Sequence, residues 1–150
     1  MNFKGTVTIN APRQTVWEFL TDPEQLTQCA PGLESLDVIT PNEKFRAVAS
    51  VGFGAVKARF VTDVQWVDLE PPNRARMKVH GTAPGSVADA RSEMTLTDGP
   101  DGSTVLTWSS DVTVIGTIAS LAARLMGVVA QKMTDAFFEC VRAKIEVRGS

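Results

Sequence analysis

The sequence predicts an α+β fold: a curved antiparallel sheet of about seven strands around one long C-terminal helix, with two short helices after the first strand. Three observations predict it. Runs of alternating polar and apolar residues are separated by short turn-forming segments through the middle of the chain. Helical periodicity replaces this alternation near residue 118 and then persists to the end. The 150 residues are 43% hydrophobic and 21% charged, which suits one soluble globular domain. The whole chain, residues 1–150, therefore reads as a single domain.

Each element has a local cause. Lys4 to Ile9 alternates and reads as the first strand. Pro12 then opens a short helix, Arg13 to Leu20, with Val16, Trp17 and Leu20 on one face. Asp22, followed by Pro23, has the short carboxylate that caps a second helix, from which Leu26 and Cys29 face inward. Pro31 and Gly32 stop it. Strands follow at Leu36 to Thr40, Lys44 to Val51, Val56 to Leu69, Ala75 to Gly81, Val87 to Thr97 and Val105 to Val114. Their connections are short and rich in Pro, Gly, Asn and Asp, which makes an antiparallel meander. Ile118, Leu121, Ala122, Leu125, Val129, Met133, Phe137, Cys140 and Val141 then mark one face of a helix running to about Val147. Lys132, Asp135, Glu139, Arg142 and Lys144 occupy its other side. A bent sheet closing on a long helix is the helix-grip arrangement.

Several classes are excluded or disfavoured. Net charge is -2 with no basic cluster, so nothing points to nucleic acid. From Val112 to Ala130 only Arg124 is charged, but placing that charge at a bilayer centre costs roughly 2.5–3.5 kcal/mol or more. A buried helix is the better reading. The N-terminus has no signal pattern, so the expected location is cytoplasmic. Cys29 and Cys140 leave a disulfide open, and two buried thiols in a reduced compartment is the expectation. No Cys/His spacing matches a metal site. The only histidine, His80, falls on a charged strand face, and neither cysteine has a partner histidine in register, so no catalytic residue is assigned. Gly52, Phe53 and Gly54 lie between two strands and read as a hairpin turn.

The inward face holds the candidate site. By alternation it carries Phe60, Met77, Val79, Gly81, Ala88, Ala90, Ser92, Met94, Trp108, Ser110 and Val112, facing Leu121, Leu125, Met126, Val129 and Met133 of the helix. Many of these are small, and four are methionines, whose thioethers suit an adaptable apolar pocket. Small inward residues either let the helix approach closely or leave a cavity for a hydrophobic ligand. Gly127 marks a kink, a ligand against the backbone, or an incidental glycine.

The run Val16 to Pro23, then Leu26, Cys29, Pro31, Gly32 and Glu34 to Leu36, resembles the carbon monoxide dehydrogenase G-subunit family of the START/Bet v 1-like (SRPBCC) superfamily. Val51 to Lys57, Asp68 to Pro72, and Gly116, Leu121, Ala122, Leu125, Met133, Phe137 and Phe138 extend the resemblance over Phe3 to Arg142. It implies the helix-grip fold and a non-catalytic accessory role beside a molybdenum-containing CO dehydrogenase or related oxidoreductase. It also implies peripheral contact with the inner face of the membrane and a pocket suited to a quinone, with no covalently bound cofactor. Many members carry an apolar extension beyond the long helix, which a sequence ending at Ser150 does not contain. Two alternatives stand beside this reading: a cyclase, dehydratase or hydrolase of the same superfamily, and an assembly factor with a filled core.

Overall fold

The computed structural model describes residues 1–149, with side chains to Glu146. The elements are β1 (Asn2–Ile9), α1 (Arg13–Leu20), α2 (Pro23–Leu26), β2 (Leu33–Thr40), β3 (Lys44–Phe53), β4 (Val56–Glu70), β5 (Arg74–Ala83), β6 (Ser86–Asp98), β7 (Thr104–Gly116) and α3 (Ala119–Gly149). All seven strands form one antiparallel sheet in the order β1-β7-β6-β5-β4-β3-β2. This is the predicted helix-grip fold.

Local signals act as expected. The Asp22 carboxylate accepts from the Glu24 backbone N–H and starts α2. Val16, Trp17, Phe19 and Leu20 are buried on the inner side of α1. The hairpin between β3 and β4 turns at Gly54 and Ala55, with Gly54 at φ 65°, so the expected turn is shifted: Gly52 and Phe53 still belong to β3 and pair with Lys57 and Val56. One detail escapes simple alternation. A bulge at Val67 shifts the register of β4, so Asp68 pairs with Arg76 on the outside and Leu69 meets Ala75 on the inside.

Helix α3, about 46 Å long at 1.5 Å per residue, is fastened at both ends. At its start, the Ser86 hydroxyl accepts from the Ile118 N–H at 3.2 Å, and the Thr117 N–H donates to the Gly85 carbonyl at 3.0 Å. At its far end, the Arg142 guanidinium donates twice to the Thr8 carbonyl, at 2.9 and 3.2 Å. Glu146 accepts from the Asn10 N–H at 2.9 Å. Cys140 is bonded to Cys29, which corrects the expectation of two free thiols. The two Cα atoms are 5.4 Å apart across a sequence separation of 111. The packing of the α2 turn on α3 brings the sulfurs together, and no local sequence pattern encodes that packing.

The apolar core is divided accordingly. One cluster joins Ile9, Ala11, α1, Cys29, Ala75, Leu96 and Leu106 to Val141 and Ile145 of α3. A second joins Phe53, Ala58 and Phe60 to Ala122 of α3.

Three outcomes test this fastening. Replacing both Cys29 and Cys140 by Ser lowers unfolding free energy by about 2–4 kcal/mol, read by denaturant titration, and abolishes the effect of reductant on the midpoint. Gly116→Ala costs at least about 1–3 kcal/mol, because its φ is 102° and a Cβ would collide with the Gly85 carbonyl oxygen. Gly127→Ala does the opposite and stabilises by about 0.5–1 kcal/mol, since a Cβ at this exposed helical position meets nothing within 4 Å.

Candidate functional site

Between the two clusters the inward side chains are not fully buried. Met77, Val79, Ala90, Ser92, Ser110 and Val112 point inward by register, and Met133 lies on the facing side of α3, yet all seven are only partly buried and none belongs to either cluster. In a filled core, inward side chains of this kind are excluded from solvent. Their residual exposure sets the middle of the sheet apart from both clusters and makes the cleft between it and α3 the candidate site.

The rows of paired residues define its floor. One row runs Trp66, Met77, Ser92, Ser110 and Phe3 across β4, β5, β6, β7 and β1. The next runs Val64, Val79, Ala90 and Val112. A third, nearer the start of α3, runs Thr62, Gly81, Ala88 and Val114. The predicted site residues thus share one face, but they divide into cleft and flanks. Phe60 and Gly81 are buried, and Ala88, Leu125, Met126 and Val129 pack against the second cluster. Met94 and Trp108 pack against the first. Leu121 is partly buried one residue before Ala122. Gly127 faces outward on an uninterrupted helix, so no ligand presses on it from the cleft. Phe3 also lines the floor beside the predicted set, and Trp66, at the end of the same row, packs against the first cluster. Trp66 is inward by alternation, whereas Phe3 lies one residue before the predicted start of the first strand.

No carboxylate, imidazole, ammonium or guanidinium stands on the inward rows among the described residues. The polar groups there are hydroxyls and indole N–H groups. Among the described residues there is also no group of three His, Cys, Asp or Glu side chains placed to hold a metal ion.

Titratable side chains are arrayed on the outer face instead. Arg46–Asp63, Arg59–Glu34 and Arg74–Glu93 form ion pairs there at 2.8–3.0 Å, and His80 Nδ1 lies 2.6 Å from the Asp89 carboxylate in hydrogen-bond contact. The Ser50 hydroxyl, and then Arg59, hold the Glu34 carboxyl below its ordinary range; Arg46 does the same for Asp63. These exposed pairs add little stability individually. Two depressions of about 540 and 470 Å³ open among these outward charges and share Lys78, Arg91 and Asp111; Phe3, Met77, Ser92 and Ser110 also line the first, and Val79 and Ala90 the second. An apolar ligand there would desolvate ammonium and guanidinium groups without compensation.

Solved structures agree on the fold. A conserved protein from Geobacillus kaustophilus is 27% identical with a TM-score of 0.90, covering 100% of this chain and 98% of its own. A Streptomyces aromatase/cyclase is 18% identical with a TM-score of 0.77, over 99% of this chain and 94% of its own. A START superfamily protein from Mycobacterium smegmatis is 13% identical with a TM-score of 0.70, over 97% of each chain. No curated protein matches the chain at a significant level. The sequence profile of CoxG, the G-subunit family of carbon monoxide dehydrogenase, matches residues 5–146. With its sheet gripping one long helix and a profile match over nearly its whole length, the chain belongs to the CoxG family.

Proposed function

We propose that this protein is a non-catalytic carrier that holds a quinone, or a similar lipid-like molecule, in the cleft between the sheet and α3. The observation that carries the reading is the row of inward apolar side chains left partly exposed between two separate cores. Burying a Val or Met side chain fully is worth about 1.5–3 kcal/mol. Met77, Val79, Val112 and Met133 forgo part of that gain, and an apolar ligand laid across them recovers it. The absence of acid–base groups from the inward rows, among the described residues, supports carriage over catalysis.

The family points to the partner: a molybdenum-containing CO dehydrogenase or related oxidoreductase, whose electrons a carried quinone would pass to the membrane. Among the described residues no helix is long and apolar enough to cross a bilayer. The family resemblance is what suggests peripheral contact with the inner face of the membrane. In a cytoplasmic setting the Cys29–Cys140 bond must resist reduction; Cys29 is buried, whereas Cys140 is partly exposed and is the more accessible of the two residues to an attacking thiolate.

A second reading, an enzyme working in the same cleft, is favoured by the aromatase/cyclase among the structural neighbours. It would have to work with the hydroxyls of Thr62, Ser92 and Ser110 and the indoles of Trp66 and Trp108.

Native mass spectrometry and organic extraction of the purified protein separate the readings. A co-purifying prenylated quinone is the expected result. Protein that carries no ligand and shows no thermal shift with menaquinone or ubiquinone analogues contradicts the carrier. Ala90→Trp places an indole in the cleft; it should abolish uptake at a stability cost of about 1–3 kcal/mol, measured in parallel by denaturant titration.

A further inference from the structure

The floor of the cleft carries hydrogen-bond donors that the protein does not use. Ser92 and Ser110 are direct cross-strand partners, and their hydroxyl oxygens are 2.8 Å apart. One O–H donates to the other oxygen, which leaves the second O–H without an acceptor among the described residues. Two residues along β7 on the same face, the Trp108 indole leans over β1, where a Cβ on Gly5 would lie 2.8 Å from Nε1. Gly5 thus gives the ring its room. Among the described residues nothing accepts from the Trp108 N–H, although a partly buried indole usually finds an acceptor. Toward the start of α3 the floor changes character, because Val79, Ala90 and Val112 offer hydrocarbon only.

We propose that Ser92, Ser110 and Trp108 form a donor subsite for an oxygen on the ligand's ring. The ring then lies over the serine pair, and the hydrocarbon tail runs along Val79 and Val112 toward the start of α3. This assignment rests on the carrier reading and gives it a direction. It also states a preference: a ligand with acceptor oxygens satisfies these donors, whereas a pure hydrocarbon leaves them unpaired in an apolar cleft.

The test compares two probes on the purified full-length protein: a naphthoquinone with a short prenyl tail, and the prenylated naphthalene of the same shape without ring oxygens. The wild type should favour the quinone. Replacing Ser92 and Ser110 together by Ala should weaken quinone binding roughly tenfold and leave the naphthalene within about twofold. Removing both partners at once leaves no orphaned hydroxyl, and the unfolding midpoint checks that the fold persists. Trp108→Phe, which keeps a ring and deletes the N–H, should weaken the quinone alone by several-fold. Unchanged quinone affinity in both variants overturns the subsite, and so does an equal loss for both probes. A wild type that takes up both probes equally also refutes the subsite but leaves the apolar carrier standing. A wild type that binds neither removes the carrier reading and the subsite together.

Discussion

The way α3 is held governs the interior. Its first turns pack on Phe53 and Phe60 and are tied down through Ser86 and Gly85. Its last turns pack on Ile9, Leu96 and Leu106 and are tied through Arg142, Glu146 and the Cys29–Cys140 bond. Between these anchorages the concave floor carries the small side chains of Ala90, Ser92 and Ser110, which stay partly exposed. A helix fixed at two ends cannot settle onto a curved floor to close the gap, and small side chains cannot fill it.

That constraint also assigns the two faces their work. Among the described residues the inward rows are free of titratable groups and offer hydrocarbon, hydroxyls and indole rings. The outward rows carry the cross-strand ion pairs. Such pairs set strand register and solubility more than they set stability. Because a sheet side chain can only point in or out, placing charge outside leaves the cleft without acid–base machinery. The carrier proposal rests on this division of the faces, and the identity proposed for the ligand rests on the family.

The fold was largely legible in the sequence because one face of the sheet is solvated. That exposure keeps alternation strict in β5 to β7, so Met77, Ala90, Ser92 and Val112 could be assigned inward from pattern alone. Local causes were equally visible, from the Asp22 cap to the turn at Gly54. Contacts that depend on three-dimensional packing were not. Cys29 meets Cys140 only because the α2 turn lies on the end of α3. Whether Met94 packs in a core and Met77 lines a gap depends on where the helix touches the curved sheet. The Val67 bulge had a readable trace, since strict alternation would have put Asp68 inside and Leu69 outside.

The central claim, that an apolar ligand occupies the cleft under α3, is tested most directly by the methionine methyl NMR spectrum during titration with a soluble quinone analogue. The chain has five methionines. Met77 and Met133 line the cleft, Met94 and Met126 flank it, and Met1 is exposed at the edge of the sheet. The account predicts that the Met77 and Met133 methyl resonances shift with saturation while Met1 stays in place. Five unmoved resonances at saturating analogue, or a shift at Met1 without one at Met77 and Met133, would contradict it.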